Sequence, residues 1–254
     1  RFTLALSGTP WRTDGSCLPM LRYMAPSHED ASAPEPSVPT LPSADNDRLA
    51  LIPDFTYPLR DAIQDDVCRT PQIYLIDNDD IRLVAEQQAQ RETLYYQSIP
   101  ALLRHPAVHY AALLRHPGPQ QHLLDVSCQR LRQLQEKDLS AAGLVVASNI
   151  SHAEDIADCL KQMGQTVCLV TSQTEGAHAR LEAFRYGHTS WIVSVNMVSE
   201  GIDIPRLQVC CYLSHVRTEQ YFRQVLGRII RRRHAQDDAC YFYALNESTL
   251  RHYA

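Results

Sequence analysis

The sequence predicts an α/β fold, a parallel sheet flanked by helices on both faces. Two observations carry this. Short apolar runs recur through the second half of the chain: "GLVVAS" (143–148), "TVCLVT" (166–171), "SWIVSV" (190–195), "LQVCCYL" (207–213) and "ACYFYAL" (239–245). Between them stand amphipathic stretches of helical period, "SHAEDIADCLKQMG", "EGAHARLEAFRYG" and "TEQYFRQVLGRIIRR". Near-continuous apolar strands alternating with helices imply a sheet buried on both sides.

Along the chain, "FTLAL" (2–6) reads as a buried strand entering the loop "SGTPWRTDG". From Pro19 to Pro58 the chain holds eight of its fifteen prolines among Ser, Ala and Asp, a composition that reads as an insertion or linker. "YPLRDAIQDD" has a short helical pattern, and "RTPQIYLID" reads as a strand. Residues 80–137 are rich in Gln, Arg and Leu and predict helices broken at Pro100, Pro106 and Pro117. "LLRHP" occurs there twice, at 102 and 113, and marks two helix ends of similar chemistry. Ser151 and Glu154 have capping-box spacing, and Gly164 supplies the stop of that helix.

Bulk properties narrow the class. The net charge is −5, which argues against a uniformly basic nucleic-acid binder while leaving room for a local groove. No apolar run approaches the ~18 residues that span a bilayer, and no signal-peptide profile opens the chain. The eight cysteines form neither a C-x-x-C pair nor a zinc-like spacing, so core thiols in a reducing cytoplasm are expected. Arg1 opens the chain in a strand-like run, as expected of a piece of a longer protein.

"QVLGRIIRRR" (224–233) sets four arginines in ten positions. On a helix through residues 220–231, Tyr221, Phe222, Val225, Leu226, Ile229 and Ile230 fill one half of the circumference. Gln220, Gln224, Arg228 and Arg231 fall within about 80° of one another on the other side. Gly227 borders that polar stripe, where a missing side chain admits a ligand. Such donors suit a phosphate or carboxylate. On the helix alone a solvated polar face ending in dipole-favouring arginines is the default reading, and Arg232 and Arg233 read as that kind of basic tail.

The neighbouring motifs favour the first reading. "SVNMVSEGIDIP" (194–205) followed by "QVLGRIIR" resembles motifs V and VI of superfamily 2 helicases and translocases, with the restriction-enzyme-motor-like branch, including phage and mobile-element members, the nearest in appearance. "SGTPWR" (7–12) resembles motif III of those proteins and "GLVVASNISHA" their motif IV region. "YPLRDAIQDDVCRTP" is similar to the segment leading into their second RecA-like lobe. The resemblance implies a remnant of the first lobe at 1–20 and a Pro-rich insertion at 21–57. A RecA-like second lobe follows at 58–254, with a helical insertion near 80–137.

It also implies roles. Arg228 and Arg231 would be arginine fingers reaching ATP bound between two lobes, with Gln224 beside them. Gly201, Asp203 and Gly227 would lie near the nucleotide, Asp203 accepting from the ribose or ordering the fingers. Ser148, Asn149, Ser194, Arg217 and Thr218 would face a nucleic-acid backbone, DNA in the resembling branch. Ser7, Gly8, Thr9 and Arg12 would link nucleotide state to nucleic-acid grip. Mg²⁺ would be held by the first lobe, because no Gly-Lys-Ser/Thr loop surrounds Lys137 or Lys161, the only lysines. Asp77, ending "IYLID", follows the motif III resemblance instead of preceding it, and Asn78 stands where a second acid is expected.

The chain alone is therefore expected not to hydrolyse ATP. Two functions are in view: the C-terminal motor lobe of an ATP-dependent helicase or translocase, and a non-catalytic lobe that binds nucleic acid or a partner.

Overall fold

The computed structural model describes residues 22–24, 50–52, 55–87, 90–195, 203–233 and 237–254. They fall into two compact units, one ending at Asp65 and one running from Asp66 to Ala254. The "FTLAL" run, Ser7, Gly8, Thr9, Arg12 and Gly201 lie outside the described residues, as does most of the Pro-rich stretch.

In the first unit, β1 (Tyr23–Met24) pairs antiparallel with β2 (Ala50–Leu51), so the two ends of the Pro-rich stretch meet. A short helix, α1 (Leu59–Gln64), follows Pro58. Tyr57 Oη donates to Asp65 Oδ2 at 2.7 Å across that helix.

The second unit opens with β3 (Thr70–Ile76) and continues into an antiparallel hairpin, β4 (Ile81–Gln87) and β5 (Gln90–Tyr96). This hairpin corrects the helical expectation for the start of the 80–137 segment. Its period is two: Ile81 faces Tyr96 and Leu83 faces Leu94, and such cross-strand pairs stabilise a sheet. The Gln- and Arg-rich composition masked that alternation.

Helices α2 (Ile99–Leu102), α3 (Tyr110–Arg115) and α4 (Pro117–Gln135) complete the segment. The two "LLRHP" copies do end helices α2 and α3, and in each the histidine ring accepts from the amide two residues on, which in the second copy caps the start of α4. Ala107 N–H donates to His105 Nδ1 at 3.3 Å, and Gly118 N–H donates to His116 Nδ1 at 3.4 Å.

The remaining elements alternate as the sequence predicts: β6 (Ala142–Ala147), α5 (Ile150–Gln162), β7 (Val167–Val170), α6 (Ala177–Tyr186), β8 (Trp191–Ser194), β9 (Leu207–Leu213), α7 (Glu219–Ile229) and β10 (Ala239–Leu245). A last helix, α8 (Ser248–Tyr253), was not foreseen. Glu247 caps it, accepting from the amides of Thr249 and Leu250.

Six strands form one all-parallel sheet in the order β3-β10-β9-β6-β8-β7. Register sorts its side chains into rows. Cys168, Ile192, Leu144, Cys210, Phe242 and Ile73 lie in line across all six strands. Phe242 meets Phe222 of α7 edge to face at 5.0 Å, so this row faces α7. The next row, Leu169, Val193, Val145, Cys211, Tyr243 and Tyr74, takes the other face, where Arg130 of α4 donates to Tyr243 Oη at 3.2 Å. Alternate strand residues thus face opposite helix layers, and both layers are apolar. Burial pushes the thiols of Cys128, Cys211 and Cys240 up to about 12, as expected of packed core groups.

Two local details differ from the sequence reading or sharpen it. The N-cap of α5 is Asn149, two residues ahead of the expected Ser151: its Oδ1 accepts from His152 N–H at 2.9 Å. Its far end is a Schellman stop. Gly164 has φ +76°, its N–H donates to Lys161 O, and Gln165 N–H donates to Leu160 O.

Gly143 of β6 is set by packing. A Cβ there would lie 2.2 Å from Cζ3 of the buried Trp191 ring. Gly143→Ala should lower the unfolding free energy by about 1–3 kcal/mol through overpacking. Trp191→Leu in the same background should recover part of that loss, as measured by urea denaturation.

Candidate functional site

The sites proposed from the sequence divide between opposite edges of the sheet. At the N-terminal edge, Asp203 precedes β9 and Arg231 follows α7. At the C-terminal edge, Ser148 and Asn149 follow β6, Ser194 ends β8, and Arg217 and Thr218 lead into α7. A seven-residue strand puts the two edges about 20 Å apart. Helix α7 runs from one to the other.

Helix α7 buries Phe222, Val225, Leu226 and Ile229, the apolar face read from the sequence. Its end was read differently. The helix stops at Ile229, and Arg231 leaves it as an extended bridge opposite Cys68. Gln224 and Arg228 stay on the polar stripe, while Arg231 departs from it. At this exit the carbonyls are already taken: Ile229 O accepts from Arg69 Nη1 at 2.8 Å, and Ile230 O accepts from Arg69 N–H at 2.7 Å.

There the Arg231 guanidinium donates to the Asp203 carboxylate. Arg228 is close enough to feel both groups. Burial first, and the Arg231 cation second, push its guanidinium below the ordinary value, while Asp203 opposes them. Gln224, Gly227 and Arg228 are all half-buried. A Cβ built on Gly227 would meet nothing within 4 Å, so the stripe is left open there.

Arg232 and Arg233 are not a loose tail. Arg232 donates to Asp66 O and Oδ1 and to Asp238 Oδ1, each at 2.9 Å, with its side chain 13% exposed. Arg233 donates to Ser140 Oγ at 2.5 Å and stands 3.7 Å from Asp138 Oδ2. Arg231, Arg232 and Arg233 are thus each paired with a carboxylate, so the run is not an open basic patch.

At the C-terminal edge most side chains hold the lobe together. Ser148 Oγ donates to Leu213 O at 2.8 Å, tying the end of β6 to the end of β9. Thr218 caps α7, accepting from Tyr221 N–H at 3.4 Å. Arg217 pairs with the buried Glu247 at 2.9 Å and lies 5.2 Å over the Tyr110 ring. Glu247 is titrated down in spite of its burial, because the amide of Leu250 and the Arg217 cation outweigh desolvation. Ser194 Oγ is buried and has no hydrogen-bond partner among the described residues. With that hydroxyl enclosed, the polar groups open at this edge include the exposed Asn149 and the backbone amides opening α5 and α7.

Two residues at these edges were missed. His152 is fully buried and supports Ser148 from below. Ser148 N–H donates to its Nδ1 at 3.3 Å, so Nε2 carries the proton and donates to Gln120 Oε1 at 3.0 Å. It occupies the apolar stripe with Ile156 and Leu160, a signal the periodicity did contain. The other is Arg69, a lone arginine ahead of a strand, for which the sequence holds no signal.

Asp77 accepts from the amides of Asn78 and Ile99 and from Asn246 Nδ2, binding β3, α2 and β10 together. Its carboxylate is therefore engaged structurally. Among the described residues no group of three or more His, Cys, Asp or Glu could hold a metal ion, and no helix is long and apolar enough to cross a membrane.

Residues 126–233, from within α4 to just past α7, match the helicase conserved C-terminal domain family. With the parallel six-stranded order, this is the architecture of a RecA-like C-terminal helicase lobe. The chain is 31% identical over 245 residues to the uncharacterized protein ML1624 of Mycobacterium leprae, covering 94% of this chain and 37% of that protein. It is 30% identical over 241 residues to the uncharacterized protein Rv2917 of Mycobacterium tuberculosis, with 94% and 36% covered. The chain thus spans little more than a third of these relatives.

Among solved structures it is similar to domain 2 of the Mss116p DEAD-box helicase bound to an RNA duplex. The identity there is 11% and the TM-score 0.40, with 49% of this chain and 50% of that chain covered. It is also similar to the Pyrococcus furiosus Hef helicase domain, at 15% identity and TM-score 0.39, with 52% and 27% covered.

Burial first, and the Arg115 cation second, push the His152 imidazole down to about 4, with Asp155 opposing. Its folded value lies below its unfolded one, so its contribution is complete above pH 6.5 and is lost as pH falls toward 4. Urea unfolding at pH 7 and pH 5 should differ by about 2 kcal/mol less in His152→Gln than in the wild type.

Proposed function

We propose that this chain is the C-terminal motor lobe of an ATP-dependent nucleic-acid helicase or translocase, with duplex DNA as its track. The observation that carries the reading is the Arg228, Arg231 and Asp203 cluster beside the open surface of Gly227, on the edge opposite Ser148 and Ser194.

The donor set at the N-terminal edge fits a polyphosphate. Arg228 and Arg231 offer two guanidiniums to an anion, and Gln224 adds an amide on the same helix. Gly227 leaves space where any other side chain would project. ATP, with Mg²⁺ held by the first lobe, supplies a transferable γ-phosphoryl group. Arg231 neutralises charge that builds up on such a group during transfer, an effect of ~10³–10⁵ in rate for arginine fingers. Asp203 orients that finger and keeps its charge balanced before a nucleotide arrives. At the other edge, Asn149 and the amides opening α5 donate to backbone phosphates, contacts that carry no base sequence. The DNA track is inferred from the branch that the sequence motifs resemble.

In the complete protein, Arg231→Ala should cut nucleic-acid-stimulated ATP turnover by at least about tenfold. Its melting temperature should stay near that of the wild type, because Arg231 is an exposed ion pair. Turnover measured with duplex DNA, single-stranded DNA and RNA identifies the track. Stimulation by RNA alone would refute DNA. A folded complete protein with no turnover on any of them would leave the partner-binding lobe as the reading.

A further inference from the structure

We propose that Arg69 is a positioning residue for the finger pair, ending helix α7 so that Arg231 is delivered onto Asp203. The inference rests on the finger role of Arg231 proposed above, and it assigns a function to a residue outside every motif that suggested that role.

Arg69 is fully buried in the link that enters β3, yet it carries a full charge. Four acceptors compensate it: Leu207 O at 2.6 Å, Ile229 O at 2.8 Å, Pro205 O at 2.8 Å and the Asp237 carboxylate. Only Nε lacks a partner among the described residues. A planar fork can reach three carbonyls and a carboxylate at once, whereas a lysine ammonium has three donors and no fork.

The choice of acceptors gives the function. Were α7 to continue, Ile229 O would accept from Arg233 N–H, four residues on. Instead Arg69 donates to that carbonyl, and Asp237 accepts from that amide at 3.2 Å. The Arg69–Asp237 ion pair thus takes both ends of the bond that a longer helix would form between 229 and 233, its cation on the carbonyl and its anion on the N–H. The Arg69 amide then takes Ile230 O, and Cys68 bridges Arg231. Arg231 consequently leaves in extended geometry.

The second half of the clamp acts on the finger's partner. Pro205 and Leu207 follow Asp203 closely, and both carbonyls are held by the same guanidinium. One side chain therefore fixes the segments that carry both Arg231 and Asp203. A mere strut would support the fold equally wherever the helix ended.

The test is a double-mutant cycle in the complete protein, with Arg69→Lys and Arg231→Ala alone and combined. Arg69→Lys should lower stimulated turnover roughly tenfold, leave nucleic-acid affinity without nucleotide within about twofold, and cost nothing further in the Arg231→Ala background. Amide hydrogen exchange supplies a readout independent of turnover. Protection across 229–233 should fall about tenfold in Arg69→Lys while the β6 and β9 amides keep theirs.

If the Arg69→Lys loss recurs in full in the Arg231→Ala background, or if protection falls throughout the lobe, Arg69 is a general strut and the proposal is wrong. Should Arg69→Lys not fold, Asp237→Asn makes the same comparison, since it weakens the clamp from its anionic side. A wild-type rate in Arg231→Ala itself would instead refute the finger reading. Local loss of protection in Arg69→Lys would then still show the helix stop, separating the two failures.

Discussion

Every residue of β9 is buried, and the rest of the second unit is arranged around that fact. A strand covered on both faces needs a helix layer on each side, and α4 and α7 supply them. It also needs each end of the strand closed by polar groups, because the chain must enter and leave a dry interior. Two buried arginines perform that closure at the N-terminal end. Arg69 takes the carbonyls of Pro205 and Leu207, while Arg206 donates to Phe184 O and Ser140 O, both at 3.1 Å. Burial lowers the Arg206 guanidinium to about 10, with Arg233 adding to the shift and Asp138 opposing it. At the C-terminal end Ser148 Oγ takes Leu213 O, and Tyr212 Oη donates to Val216 O. The ends of β9 are rigid for structural reasons, and the candidate sites lie beside those ends.

The parallel sheet was legible because its strands are short, apolar and bounded by helices of clear period. "LQVCCYL" and "ACYFYAL" became β9 and β10 residue for residue. The hairpin at 81–96 was not legible, since its alternation is carried by few apolar residues among Gln and Arg. The stop of α7 was hidden for a different reason. "GRIIRRR" has no glycine, proline or asparagine after Gly227, and local sequence alone predicts continuation. What ends the helix is Arg69, 160 residues earlier in the chain. Local patterns record propensities, and a termination imposed from a distant strand leaves no local trace.

The same logic governs the arginines. A count of four in ten positions suggests a basic surface, but a count cannot register which carboxylates the fold returns to them. Asp66, Asp138, Asp237 and Asp238 come from three separate segments and arrive at one edge of the sheet. They engage Arg69, Arg232 and Arg233, and Asp203 engages Arg231. Buried and half-buried guanidiniums need such partners, because desolvating an uncompensated charge costs several kcal/mol, of order 3–5 kcal/mol when one partner is removed. The edge is therefore a network of matched charges and not an open basic surface.

Helix α7 joins the two edges mechanically. Thr218 fixes its start beside the end of β9, and Arg69 fixes its end beside the start of that strand. Between them Phe222, Val225, Leu226 and Ile229 lock the helix to the sheet. A close-packed body of this kind has low compressibility, so Thr218 and Arg231 at the two ends of α7 are held at a fixed spacing. A helix held at both ends in this way fixes where Arg231 emerges, beside Asp203. On the proposed function, the geometry of that helix end, more than the number of cations it carries, would decide whether Arg231 meets a phosphate.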